Sequence, residues 1–254
     1  MWEEILFNRV DAHAPTTLSY IEKQMFALHE RNAIPSTHKR VLNDIKKHFT
    51  PRVIYDIGAC VLHWTRLAKS IWPEPECITI AFDAIKEVEA LYKSKNILYN
   101  IGVLSDEDNK LVRFYENKEL PGGNSYYKEI GHANANAVFP EDRYTEKNAM
   151  TLESVVQQKN FQLPDLVKID VQGCELDILK GGINIINNAK YLIIELQNIQ
   201  YNRGAPLEGV TIKYLNDNGW EIVEAKFADN GPDADYLFIN TRWLDADRTQ
   251  IELN

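Results

Sequence analysis

The sequence predicts an α/β fold: a doubly wound, mostly parallel sheet with a C-terminal antiparallel hairpin and an N-terminal helical extension. Three observations carry that expectation. Four short apolar runs, at 53–57, 78–82, 165–169 and 191–196, each hold or lead into a carboxylate, namely Asp56, Asp83, Asp170 and Glu195. Continuous apolar runs of this length are buried strands of a parallel sheet. The segments between them space their apolar residues as helices do, and strand–helix alternation places helices on both faces. The carboxylates then gather at the C-terminal edge, where open α/β sheets bind ligands. Acidic groups there suit a ligand with hydroxyls and positive charge.

In chain order, residues 16–30 and 37–49 carry helix-spaced apolar side chains, with Thr16 and Thr37 as N-caps and Pro35 between them. They form a preface, residues 1–50, that packs on the domain, caps the crevice or makes a homodimer face. The domain, residues 51–254, begins with strand 53–57, helix 62–71, strand 77–82, helix 85–94, strand 97–103 and an added strand 111–115. A polar, tyrosine-rich stretch, 116–148, follows as an insertion on the acceptor side. Helix 151–159, strand 165–169, helix 175–182, strand 190–196 and helix 207–218 continue the alternation. Strands 220–227 and 235–240 flank Asp229-Asn230-Gly231-Pro232, whose turn-forming residues imply an antiparallel hairpin.

With 254 residues the chain is long enough to bury one substantial core. Its net charge of -9 disfavours nucleic acid and anionic membrane surfaces as partners. Cys60, Cys77 and Cys174 are odd in number and form no CxxC, which suits reduced thiols. No apolar stretch approaches the roughly 20 residues of a membrane span, and the N-terminus lacks a signal peptide's order, so a cytoplasmic protein is expected.

The chemistry begins at Asp56-Ile57-Gly58-Ala59. A glycine straight after a buried strand lets backbone approach a ligand, and the helix that follows offers its N-terminal amides. Asp83 ends the next strand, where an acidic residue accepts hydrogen bonds from a ribose diol. A nicotinamide dehydrogenase would carry G-x-G-x-x-G in the first turn, whereas Gly58 to His63 holds a single glycine. A nucleoside without phosphates needs less exposed backbone, and S-adenosylmethionine (SAM) is such a ligand.

Val53 to Cys60, Ala81-Phe82-Asp83, Leu104-Ser105-Asp106 and Lys168-Ile169-Asp170-Val171-Gln172-Gly173-Cys174-Glu175 with Leu179-Lys180-Gly181 together resemble the FkbM family of SAM-dependent methyltransferases. That family's pattern runs V-x-D-I-G-A-N-x-G, A-F-E-P, L-S-D and K-I-D-V-E-G-x-E-x-x-x-L-x-G. The resemblance covers roughly 53–240, and the KIDVxGxE segment is its specific part. Departures fall at Cys60 for Asn, Leu62 for Gly, Asp83 for Glu and Gln172 for Glu.

The resemblance implies a class I methyltransferase sheet, with Asp56, Gly58, Ala59, Cys60 and Leu62 beside the methionine part of SAM. It places Asp83 on the ribose, Val103, Leu104 and Ser105 around the adenine, and Asp170 nearest the transferred methyl. Leu62 is expected within contact distance of the methionine end. Glu175 is read as a helix-starting residue. Activating an acceptor hydroxyl requires a general base or a divalent cation. Asp170 with Glu195 could supply either, and Gln197 and Asn198 would complete an all-oxygen Mg²⁺ or Mn²⁺ site. The histidines show no paired metal spacing and are expected mostly at the surface; His132 is the exception, placed with Asn124, Ser125 and Tyr126 in an acceptor lid whose residue types suit sugars. The acceptor implied is a hydroxyl of a sugar, glycan or glycosylated small molecule. Two rivals are a non-catalytic SAM-fold module and a nucleotide-binding α/β enzyme of another class. Nucleic-acid methylation lacks its N/D-P-P-Y/F motif here.

Overall fold

The computed structural model describes residues 18–31, 36–131 and 133–244, so His132 and Thr16 lie outside the described residues. Helix α1 spans Tyr20–Glu30, later than the expected start, because Ser19 and Glu22 form a capping box. Helix α2 spans Ser36–Lys46, which puts Thr37 inside its first turn rather than at its cap. The apolar stripe His38, Val41, Leu42 and Ile45 of α2 is buried.

Strand β1 (Val53–Ile57) is followed by α3 (His63–Ile71), β2 (Ile78–Asp83), a 3-10 turn (Lys86–Val88), α4 (Glu89–Ser94) and β3 (Leu98–Ile101). The expected strand 97–103 breaks at Gly102. The chain then leaves the main sheet, and β4 (Val103–Leu104) and β5 (Leu111–Phe114) flank β6 (Thr145–Met150) in a separate three-stranded sheet. Sequence reading missed β6 because only Ala149 in it is buried, leaving no apolar alternation. A short helix, α5 (Ala135–Val138), lies inside the insertion.

The remaining elements are α6 (Leu152–Lys159), β7 (Leu166–Ile169), α7 (Glu175–Lys180), α8 (Ile183–Ile186), β8 (Tyr191–Gln197), α9 (Glu208–Asp217), β9 (Trp220–Asp229) and β10 (Asp233–Asn240). The expected helix 175–182 ends before Gly181, where a Cβ would lie 2.1 Å from the Ser105 carbonyl oxygen. The main sheet has seven strands in the order β3-β2-β1-β7-β8-β10-β9. Strand β10 runs antiparallel to both its neighbours, so the hairpin inserts its second strand beside β8.

Register explains where the carboxylates go. Ile57 pairs with Phe82 and Ile169, and Ile169 with Ile194. One residue beyond that apolar row stand Asp83, Gly58, Asp170 and Glu195, and Glu195 pairs with Asp235. Because side chains alternate across a strand, this row and Asp56 share one face. That face carries Ile54 and Ile193 against α2 and α3. The opposite face carries Tyr55, Phe82 and Ile194 against α6, α7 and α8.

Gly58 has φ +83°, and a Cβ there would lie 1.8 Å from the Asp170 carbonyl oxygen. The β1 turn and the end of β7 are therefore in backbone contact. Gly58→Ala is expected to lower stability by about 2 kcal/mol or more, from overpacking and left-handed strain together. A denaturant midpoint equal to wild type would show that this contact does not constrain the turn.

Candidate active site

The turn after β1 is fixed by its own backbone and by three neighbouring elements. Gly58 N and Ala59 N both donate to Phe82 O, at 2.9 and 3.1 Å. Cys60 N donates to Asp83 Oδ2 at 2.7 Å, and Tyr92 Oη donates to Cys60 O at 2.8 Å. His29 Nδ1 donates to Val61 O at 2.6 Å, and His63 Nε2 to Leu28 O at 2.8 Å. These two histidines tie the end of α1 to the turn, and His29 is buried rather than at the surface. Asp83 also accepts from Ile85 N at 2.8 Å, and burial pushes its carboxyl up to about 6.

Beneath the turn lies a buried charge relay. Asp56 Oδ2 accepts from Thr65 Oγ1 at 2.5 Å, while Asp56 Oδ1 has no hydrogen-bond partner and stands 3.9 Å from Lys168 Nζ. Lys168 Nζ bonds Asp170 Oδ2 at 2.9 Å. Burial alone would depress Lys168, but Asp170 and Asp56 outweigh it and hold the ammonium charged. Burial likewise works against an ionised Asp170, yet the Lys168 ammonium prevails and lowers it. Burial, then the nearby Asp170, Asp233 and Asp235, hold Glu195 well above the usual carboxylate range. The Gln172 amide bridges the pair, donating to Asp170 Oδ1 at 3.1 Å and Glu195 Oε2 at 2.9 Å.

Glu175 does more than start α7. Its Oε1 accepts from Val171 N at 3.0 Å and Gly173 N at 3.1 Å, which fastens the loop carrying Gln172 and Gly173, both at positive φ.

Two cavities meet at Asp170. One, about 740 Å³, runs from Gly58, Cys60 and Asp83 past Val103 and Leu104 to Asn124, Ser125 and Tyr126. The other, about 720 Å³, lies over Ala59, Lys168, Glu195 and Asp235 and is walled by His38 and Trp64. A third space, about 640 Å³, opens at Gln172 between Glu129, Phe139, Tyr201 and Asp233.

The expected site residues distribute unevenly over these spaces. Asp83, Gly58, Cys60, Val103, Leu104 and Asp170 line one cavity. Asp56 lies just below it, fully buried. Ser105 is also fully buried, bonded to Asp106 at 3.0 Å. Asn124, Ser125 and Tyr126 sit at the Val103–Leu104 end rather than apart from it, because Tyr126 and Tyr127 both donate to Asp177 Oδ2 on α7, at 2.9 Å. Gln197 does not join Asp170, since its amide exchanges hydrogen bonds with Asn202 at 2.7 and 3.2 Å. Asn198 faces the hairpin turn, donating to Gly231 O at 3.2 Å. Among the described residues, no three His, Cys, Asp or Glu side chains converge to hold a metal.

Sequence reading passed over His38, Trp64 and Asp235. His38 is buried and bonds Asp235 Oδ2 through Nε2 at 3.1 Å. Its place on the apolar stripe of α2 was the available signal.

A family model of the methyltransferase FkbM domain matches residues 56–222. The chain belongs to the FkbM methyltransferase family. It is thus a SAM-dependent methyltransferase, and its mostly parallel seven-stranded sheet is that of class I methyltransferases. No curated protein sequence matches the chain. Solved structures similar to it include a provisionally assigned O-methyltransferase from Klebsiella pneumoniae (8% identity, 93% of this chain and 96% of that chain, TM-score 0.49). Others are the O-methyltransferase TomG from Streptomyces achromogenes in complex with SAM (8%, 92% and 94%, TM-score 0.47) and the 16S rRNA methylase ArmA (16%, 94% and 98%, TM-score 0.36). Likenesses this loose carry no functional implication. No helix among the described residues is long and apolar enough to cross a membrane.

In this FkbM methyltransferase, Leu62 departs from expectation. It lines neither cavity at Asp170; its side chain is buried with Met25, Phe26 and Leu91. Its φ of +64° puts it in the left-handed region, a conformation a glycine would adopt without steric cost. Leu62→Gly relieves left-handed strain of about 1–2 kcal/mol but removes a core side chain worth about 2–5 kcal/mol. A lower melting temperature is expected, and a higher one would show that strain dominates.

Proposed function

We propose that the chain transfers a methyl group from SAM to a hydroxyl of a sugar, glycan or glycosylated small molecule, with Asp170 as general base. The observation that carries this reading is the Lys168–Asp170 pair at 2.9 Å, set where the cavities meet. SAM fits the residues present: Asp83 offers acceptors for a ribose diol, Gly58 leaves the backbone bare, and the cavity beyond ends in apolar Val103 and Leu104. When bound, SAM supplies a methyl on an already activated sulfonium leaving group.

The protein's part is alignment and proton removal. Asp170, kept ionised by Lys168, accepts the hydroxyl proton as the acceptor oxygen bonds to carbon. Gln172 fixes the carboxylate's orientation, and burial with the neighbouring acids holds Glu195 beside it well above the usual carboxylate range. Of the four residues expected to bind Mg²⁺ or Mn²⁺, Gln197 is taken up through both amide atoms by Asn202, whereas the Oδ1 of Asn198 has no hydrogen-bond partner. The route taken here is the general base, and the chelation experiment below decides it against the metal route.

The space at Gln172 supports the acceptor class. Phe139 and Tyr201 place rings in its wall, Glu129 and Asp233 place carboxylates there, and no lysine or arginine among the described residues lines it. Such a lining favours a neutral or amino-bearing polyol over a phosphorylated acceptor. The insertion residues Asn124, Ser125 and Tyr126 are assigned to the nucleoside end instead.

Methyl-labelled SAM incubated with a panel of glycosides tests the reaction, with the product identified by mass. Asp170→Asn should lower kcat by about 10²–10⁴ while SAM still binds, as for loss of a general base. Activity should survive exhaustive chelation; loss on EDTA treatment restored by Mg²⁺ or Mn²⁺ would replace the base route.

Asp83, pushed up to about 6 by burial, makes cofactor affinity pH-dependent. Its ionised form is the better acceptor for ribose hydroxyls, so affinity is full above that value and falls as pH drops through it. Calorimetry across pH 5 to 8 should show this fall, and Asp83→Asn should bind more weakly and lack it. The same pH profile in Asp83→Asn would remove Asp83 from the ribose.

A further inference from the structure

Three large apolar side chains that the fold leaves in water adjoin the third space, the one that opens at Gln172. Leu120 is 55% exposed, Ile130 37% and Ile199 55%. Leu120 lines that space itself, together with the half-buried Val138 and Pro232. Ile130 N donates to Tyr201 O, and Tyr201 N donates to Ile199 O, both at 2.8 Å, so each isoleucine is joined by backbone to a residue of the lining. Ile199 N also approaches Pro232 O, at 3.4 Å. Single exposed apolar residues are ordinary, whereas apolar surface gathered at the mouth of a cavity marks a binding site.

The inner part of the same space has another chemistry and a fixed wall. Glu129 and Phe139 are buried, and Gly123 lies so close that a Cβ there would stand 3.1 Å from Glu129 Oε2 and 2.9 Å from Phe139 Cζ. Tyr201 Oη donates to Glu129 Oε1 at 3.1 Å, and its ring lies against Gly131, where a Cβ would come within 1.9 Å of Cδ2. Rings and carboxylates are thus set before a ligand arrives. The lining runs from Gln172, bonded to Asp170, to Leu120 at the surface. At about 640 Å³ the space is of the size that holds drug-sized ligands, more than one sugar ring fills.

We infer that the acceptor is an amphiphile, whose polyol lies at Gln172 and whose apolar aglycone, an alkyl or aryl group, leaves across Leu120, Ile130 and Ile199. The inference deepens the acceptor reading proposed above and rests on it. A free sugar would leave the three side chains in water. The aglycone is remote from the reacting oxygen, so its burial stabilises ground and transition states alike and appears in KM rather than kcat.

Methyl and n-octyl β-glycosides of glucose, galactose and glucosamine, the octyl forms kept below their micelle concentration, test this with the full chain and methyl-labelled SAM. For whichever sugar is methylated, the octyl glycoside should show a KM lower by about tenfold or more at similar kcat, the scale of burying one Leu or Ile side chain. Leu120→Ser and Ile199→Ser should each cut that octyl-to-methyl advantage about threefold, and the double variant should bring it near one. Both positions are exposed, so melting temperatures should stay close to wild type. Leu98→Ser removes an equally exposed apolar side chain on β3, at the far edge of the main sheet, and should keep the advantage.

Equal KM for the two glycosides in wild type overturns the inference and leaves the acceptor reading intact. An octyl advantage that survives the double variant, or that Leu98→Ser also removes, overturns it as well, since the chain is then recognised elsewhere. Methylation of no glycoside in either form overturns the acceptor reading and this inference together.

Discussion

The site is organised around one ammonium group. Lys168 is 5% exposed and lies between two carboxylates from two strands, Asp56 on β1 and Asp170 at the end of β7. A lone buried charge is very costly, and a partnered one is tolerated only with good geometry. Strand register supplies that geometry, because Asp56 pairs with Lys168 across the β1–β7 ladder. Three acidic or basic side chains on one sheet face thus require one another. Removing Lys168 leaves its carboxylates uncompensated, at about 3–5 kcal/mol, whereas removing one carboxylate leaves the ammonium paired with the other.

That constraint also sets the chemistry at the edge. With Lys168 neutralising Asp170, the next carboxylates along the row, Glu195 and Asp235, must find other partners. Asp235 takes His38, and Glu195 takes the Gln172 amide and is held well above the usual carboxylate range. The row therefore grades over adjacent strands from Asp170, lowered by Lys168, to Glu195, raised by burial and its acidic neighbours. Gln172 is the hinge of that gradient. An amide donates to both neighbours at once, which a carboxylate at this position would not do. The excess of acid over base also suits a site whose ligand carries positive charge.

Much of this was legible in the sequence, for a definite reason. Buried parallel strands declare themselves as apolar runs, and a carboxylate at the end of each run has few places to go except the crevice. Asp56, Asp83, Asp170 and Glu195 came out of that pattern together. What stayed hidden depends on contacts between distant segments. Strand β6 is mostly exposed and has no apolar alternation. The break at Gly102, which sends β4 to another sheet, leaves no local signature. Gln197 carries the right atoms for a metal ligand, but Asn202 occupies them. His38 sits on an apolar stripe, where a histidine reads as filler until Asp235 is seen opposite.

Three of the four departures from the family pattern have a common physical basis. Cys60, Leu62 and Gln172 all adopt positive φ, at 45°, 64° and 57°. Non-glycine residues there carry strain of about 1–2 kcal/mol each, so the surrounding contacts must over-determine the backbone. They do so at the first turn. Cys60 N is held by Asp83 and Cys60 O by Tyr92, while Val61 O is held by His29. Leu62 adds burial against Met25 and Phe26 of α1. A glycine would reach the same conformation at no steric cost but would supply none of that packing. The backbone path past the cofactor site is thus kept by a different means, with part of the work done by α1. It follows that α1, outside residues 56–222, holds the turn after β1 in place rather than standing as an appendage to it.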